Sequence, residues 1–364
     1  MVWLQDGAPL LVLHRTKASE PSRVSSLFPD VELLFADELH RKSFFSKHPS
    51  RFLTPSSLEN DCIDRLIRSP AVAWNPSGLS AIAGPLAFAL NSGSHGCLKL
   101  TLDQGRLLLL DGSVSSRPLS SAPPSLRRPP GIESAFQTFV GDTPMNNRLA
   151  LHWQGASTRS LFASLLQRRL ISDEIEKTYG LTPNFQVQWL GAPMDLQAQL
   201  RKDGPFKASL QLSLAFKAQH AESLKTGLAS IALNLEQRGL RPQVSSSTAE
   251  TDNGQSTAVI WKGANQNVLG RWYVDSPRPD QISLRLSLGG PLDTGHPPLK
   301  LKPKSGLSIR FDAKQLREMG WLKATWPSLV QQAGQGELLV KPMLGSRSGQ
   351  TDTWYWIKGQ LSLR

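Results

Sequence analysis

The clearest alternation in the chain runs over 208–216. There Ala208, Leu210, Leu212, Leu214 and Phe216 are separated by Ser209, Gln211, Ser213 and Ala215. A period of two predicts a strand with one apolar and one wet face. Leu224, Leu228, Ile231 and Leu235 then recur at helical spacing. They predict a helix over 221–237, with Gly239 as its stop. Further strands are expected over 257–261, 268–274, 282–288 and 307–311, and a helix over 313–319 follows the last of these. A short helical segment is expected over 326–332, and 336–340 with 353–363 reads as a closing hairpin. The segment 241–255 is polar and reads as an approach to the strand at 257.

Upstream, Leu149 and Leu151 start a strand and 160–170 reads as a helix. Phe185, Val187 and Trp189 alternate with glutamines and read as a strand that hairpins with 194–200. Strand, helix and two hairpinned strands thus occur over 148–200 and again over 208–274, a weak internal repetition. Towards the N-terminus, 10–13 and 31–35 read as strands and 60–68 as a short helix. Leu98, Leu100 and Leu102 form a hairpin with 107–110 across a turn at 103–105. Half-polar strands of this kind suit antiparallel sheets with helices packed on one face, an α+β fold.

The stretch 112–131 reads GSVSSRPLSSAPPSLRRPPG, with five prolines and six serines. That composition predicts a solvated linker over 112–135. It separates a small α+β region, 1–111, from a larger domain, 136–364. Charge sharpens the division. Of the 41 Lys+Arg and 29 Asp+Glu, 14 and 12 fall in 1–135, leaving 27 and 17 beyond it, so +10 of the net +12 lies after residue 135.

The densest basic run is Lys300, Lys302 and Lys304, which share one side of an extended chain, with Arg310 close behind. These four are the candidate anion-binding residues; phosphate contacts of this kind give salt-sensitive, sequence-blind affinity. No apolar stretch reaches the roughly 20 residues of a membrane helix. No basic leader precedes an apolar core, so the expected location is cytoplasmic, with peripheral membrane association open. Two cysteines, Cys62 and Cys97, are too few for a cysteine-built metal site and read as free thiols, a single disulfide being the alternative.

Other chemistry has bland readings beside it. His95 and Cys97 sit two apart, the spacing of a Cys–His pair, but Gly93 and Gly96 suggest a turn. Asp173, Glu174 and Glu176 are a tight acidic group, read as charges at a helix start. The triplets His14-Arg15-Thr16 and His48-Pro49-Ser50 resemble those of two-histidine phosphoesterases. That resemblance implies imidazoles as acid and base and hydroxyls on phosphate oxygens, and Pro49 departs from it. No phosphate-binding loop, HExxH, GxSxG or paired CxxC is present. No cofactor or metal is expected.

Ten tryptophans, sparse lysine and abundant Leu, Gln and Ser, in segments such as AVAWNPSGLSAIAGPLAFAL and GELLVKPMLG, resemble the style of proteins from GC-rich marine cyanobacteria. The similarity is compositional and implies a lineage-restricted protein or a photosynthesis accessory factor. The function expected from the sequence is a non-catalytic binding or assembly protein. Its partner is electrostatic: an acidic protein, an anionic membrane surface or another polyanion. The alternatives are an enzyme acting on phosphate esters and a nucleic-acid-binding protein.

Overall fold

Segments whose side chains alternate become strands, and pairings in both sheets are antiparallel. The computed structural model describes residues 2–3, 9–14, 31–35, 71–74, 95–115, 136–137, 149–158, 169–202, 207–246, 257–290, 306–322, 333–342 and 354–363. The chain divides into two units. The first comprises Met1–Gly141, Thr325–Gln332 and Leu338–Arg364; the second comprises Asp142–Ala324 and Ala333–Glu337.

In the first unit, β1 (Val2–Trp3), β2 (Pro9–His14) and β3 (Val31–Phe35) form a three-stranded sheet in that order. The expected hairpin is β5 (His95–Asp103) with β6 (Leu107–Ser115), turning at Gln104 and Gly105, both at positive φ. β4 (Ala71–Trp74) flanks β5, and β16 (Trp354–Leu363) flanks β6. Leu98, Val114 and Ile357 form a buried cluster, with Leu110, Leu338 and Val340 packed against it. Trp356 Nε1 donates to Asp111 Oδ1 at 2.6 Å.

Two features differ from the sequence reading. β6 continues to Ser115, so strand structure enters the segment read as linker; 116–135 lies outside the described residues, as does the helix expected at 60–68. β16, placed by sequence in the 136–364 domain, pairs with β6 along its length. Alternation marks a strand but carries no information about a partner so distant in the chain.

Cys97 is buried and disulfide-bonded, which overturns the expectation of free thiols. The chain's other cysteine, Cys62, lies outside the described residues. The bond also removes Cys97 as a nucleophile beside His95, and both residues belong to a strand instead of a turn. Native disulfides stabilise by about 2–5 kcal/mol. Reduction with dithiothreitol is therefore expected to lower the melting temperature of the wild type and leave a Cys97→Ser variant unmoved. Thiol alkylation of the denatured, unreduced protein should find no reactive cysteine. A stoichiometric yield of alkylated Cys97 would contradict the bond.

In the second unit the chain order is β7 (Leu149–Gly155), α1 (Arg169–Tyr179), α2 (Pro183–Gly191), β8 (Met194–Leu200), β9 (Ala208–Lys217), α3 (Ala221–Gln237), β10 (Arg241–Ser246), β11 (Thr257–Lys262), β12 (Val268–Arg278), β13 (Gln281–Leu288), β14 (Leu307–Asp312) and α4 (Ala313–Glu318), with the start of β15 (Ala333–Pro342). The sheet order is β10-β11-β12-β13-β9-β8-β7-β14-β15. The fold is α+β, an antiparallel sheet with helices packed against it. α3 ends as expected, Gly239 following at positive φ. Among the described residues no helix is long and apolar enough to cross a membrane.

Residues 185–189 are helical, not extended. Thr182 caps α2 and Pro183 occupies its first turn, a start signal that outranks a short alternation. Phe185 and Trp189 lie one helical turn apart with ring centroids 5.6 Å apart, while Val187 points to solvent. An i, i+4 aromatic pair thus looked like period two. With two helices between β7 and β8, the first half of the proposed repetition does not hold. β10, read as an approach segment, is among the described residues an edge strand paired with β11, a position that tolerates Pro242.

Registers align the strands into rows across the sheet. Trp153, Leu196, Leu212, Leu286, Trp272 and Val259 form one row of the apolar face. Trp261 and Trp272 pack there with centroids 5.1 Å apart. Leu224, Leu228, Ala313 and Leu316 are the buried residues of α3 and α4. The other face is polar and carries the candidate site.

Candidate functional site

Alternation puts every second residue of β7, β8, β9, β13 and β12 on that polar face. One row reads Gln154, Asp195, Ser213, Arg285, Tyr273. Its neighbour reads Arg310, His152, Gln197, Gln211, Ser287, Arg271. Gln154, Asp195, Ser213, Arg285, Tyr273, His152, Gln211 and Arg271 are half-buried, so these rows reach solvent.

Asp195 is the hub. Its Oδ2 lies 3.1 Å from His152 Nε2 and 2.7 Å from Gln154 Nε2, and its Oδ1 is 2.9 Å from Gln197 Nε2. Burial pushes the carboxyl pKa up. The hydrogen bond and charge of His152 and the amides of Gln154 and Gln197 outweigh burial and hold it below the ordinary carboxylate value. An ionised carboxylate only accepts, so all three neighbours donate. That fixes the His152 proton on Nε2. It also fixes the Gln197 amide, with nitrogen towards Asp195 and oxygen away.

The sign of the pH dependence follows. A carboxyl whose folded pKa is depressed contributes stability above the unfolded value of about 3.9, and that contribution is lost as pH falls through the folded pKa. Asp195→Asn is expected to cost about 1–3 kcal/mol at pH 7, through donors left without their acceptor. The gap to wild type should close below about pH 4. Denaturant titrations at several pH values measure it; a gap that stays constant into acid would show that the carboxylate charge is not what stabilises.

Several charged side chains on this face are paired. Arg285 Nη2 meets Asp275 Oδ2 at 2.7 Å, Arg310 Nε lies 3.4 Å from Glu337 Oε1, and Arg271 Nη1 donates to Tyr273 Oη at 3.0 Å. Lys217, at the end of β9, adds an exposed cation to the same face. Several buried polar atoms have no hydrogen-bond partner: Gln197 Oε1, Gln199 Oε1, Ser283 Oγ, Asp275 Oδ1 and Arg271 Nε. Gln197, Gln199 and Ser283 are only 5%, 8% and 1% exposed. A buried unmade hydrogen bond costs about 1–3 kcal/mol, and these atoms lie beneath the accessible surface of the face.

Of the anion-binding candidates, Lys300, Lys302 and Lys304 lie outside the described residues. Arg310 is buried within the second unit and faces Glu337. The acidic group is exposed within α1 instead of at its start, with Glu174 accepting from Thr178 Oγ1 at 2.8 Å. His14 closes β2, and the other members of the two His triplets lie outside the described residues. No group of three or more His, Cys, Asp or Glu among the described residues is arranged to hold a metal ion.

Sequence reasoning passed over His152 and Asp195. The available signal was the recurrence of Gln, Ser, His and Asp at the polar positions of strands far apart in the chain. Neither a family model, nor a curated protein, nor a solved structure matches this chain.

Proposed function

We propose that this chain is a non-catalytic binding protein whose second unit uses the polar sheet face as its recognition surface. The observation that carries the reading is the half-buried Asp195 hub, held by His152, Gln154 and Gln197 beside Gln211, Ser213, Arg285 and Tyr273, which reach solvent on the same face. Asp195 favours binding over acid–base work, because both its oxygens are engaged by three donors. Ser213, opposite Asp195 and Arg285 in the ladder, is the position to obstruct. Ser213→Trp should abolish binding to whichever member of a panel the wild type recognises: neutral oligosaccharides, an uncharged peptide, single-stranded DNA and anionic vesicles. Binding that survives Ser213→Trp, or binding to no member of the panel, refutes the reading.

An electrostatic partner is the second part of the reading, because the chain carries +12. Lys300, Lys302 and Lys304 are the residues proposed for an acidic protein, membrane or polyanion. Exchanging all three for glutamine should flatten the salt dependence of vesicle or DNA binding. An unchanged salt slope would remove them from that role. The disulfide at Cys97 supports an oxidising compartment over the cytoplasm.

A further inference from the structure

We infer that the outer edge of β10 is a docking site for an acidic, extended segment of a partner protein, which joins the sheet as a further strand. The inference rests on the electrostatic part of the reading above and names a class of partner and a second place for it. β10 ends the sheet of the second unit and, among the described residues, pairs with β11 alone. Gly263 N donates to Asn267 O across the β11–β12 turn, so the odd-numbered residues of β11 bond to β12 and the even-numbered ones to β10. Arg241, Gln243 and Ser245 pair with those even-numbered residues, which leaves the backbone of Pro242, Val244 and Ser246 facing outward. Proline sits there without loss because it has no N–H to give. The outward N–H and C=O of Val244 are the template on which an added strand builds.

Charge selects the occupant. Arg241 stands directly opposite Lys262, and Arg271 is on the same face one step along, opposite Ile260. Like charges across a ladder repel. Among the described residues neither Arg241 nor Lys262 has a carboxylate partner. A strand added beside β10 places every second side chain next to Arg241 and Gln243, both exposed, where a carboxylate supplies the missing anion. Its other side chains fall beside Val244, which is 69% exposed and in the apolar row of Val259 and Trp272. An aliphatic group there covers it. The fitting segment therefore alternates acidic and aliphatic residues. A second copy of β10 is a poorer occupant, because RPQVSS contains no carboxylate and brings another arginine. DNA or an anionic membrane would answer the cations but leave the edge groups and Val244 uncovered.

The test titrates the full chain with blocked peptides of equal length that alternate valine with glutamate, glutamine or lysine, and with oligo-dT and phosphatidylserine vesicles. The Glu–Val peptide should bind saturably below about 1 mM, weaken with salt and protect the Val244 amide from hydrogen exchange. The glutamine and lysine peptides should bind at least about tenfold less tightly. Arg241→Glu should weaken the Glu–Val peptide about tenfold and narrow its advantage over the lysine peptide. Val244→Pro, which removes the outward N–H, should abolish binding. A Glu–Val peptide N-methylated at its valines makes the same test from the ligand's side if that variant fails to fold. Failure of the Glu–Val peptide to bind overturns the inference. So does binding that neither Arg241→Glu nor N-methylation weakens. If oligo-dT or vesicles bind through Lys300, Lys302 and Lys304 while the peptide does not, the edge site falls and the electrostatic reading stands. If no anion binds, both fall. A wild type that dimerises in solution and becomes monomeric on Val244→Pro overturns the inference by assigning the edge to a second copy.

Discussion

Gly112→Ala is expected to unfold the hairpin of the first unit. Gly112 lies opposite Leu98 on one side and Ile357 on the other. A Cβ built there meets the Cys97 carbonyl oxygen at 2.0 Å and the Leu98 Cα at 2.9 Å. Both obstacles are backbone, so no side chain can rotate away. β5 and β6 must part, and the cluster of Leu98, Val114 and Ile357 is lost with them. Such overlap belongs with the rare substitutions costing more than about 4 kcal/mol. Gly105→Ala in the same hairpin makes the comparison. Its φ is +70° and nothing lies within 4 Å of the added carbon, so only backbone strain of about 1–2 kcal/mol is at stake. Denaturant titration and hydrogen exchange on the β5 and β6 amides measure both. Equal costs for the two alanines would show that the close approach at Gly112 does not limit the ladder.

Leu228→Asp should be the most damaging substitution in α3. Leu228 and Leu224 are the buried residues of that helix. A Cβ on the adjacent Gly227 would come within 2.4 Å of the Phe185 ring, so α2 and α3 are already in tight contact there. Removing a buried leucine costs about 2–5 kcal/mol, and the carboxylate adds the penalty of an unpaired buried charge. Against a domain stability of about 5–15 kcal/mol, the second unit is expected to be largely unfolded. The loss should exceed that of any single His→Ala substitution, His152→Ala included. A thermal melt that matches wild type would refute the buried placement of this face.

What could be read in the sequence follows from what is local. The strand 208–216 and the helix Ala221–Gln237 were legible because each buries one face, and that face is written as a period. α2 was misread because Phe185 and Trp189 satisfy an alternation and a helical turn equally well. β10 was missed because an edge strand carrying Pro242 needs no apolar face; Val244 is 69% exposed. The polar hub was illegible for a different reason. His152 and Asp195 are 43 residues apart, and only the register of β7 on β8 brings them together. Arg310 was visible as a cation, but nothing local indicates that Glu337 faces it.

The pairing of β16 with β6 also bears on synthesis. The Trp356–Asp111 hydrogen bond spans 245 residues of chain. Translation proceeds at about 5–20 residues per second, so the β5–β6 hairpin waits for tens of seconds with one side of β6 unbonded. That side carries Leu107, Leu108, Leu109 and Leu110, an apolar run at an open strand edge, which is a template for pairing with other nascent chains. The second unit has no such delay, because its segments are nearly contiguous and end at Glu337. The newborn protein therefore passes through a stage with one unit complete and the other holding a vacant strand position, and that is when a chaperone is most needed.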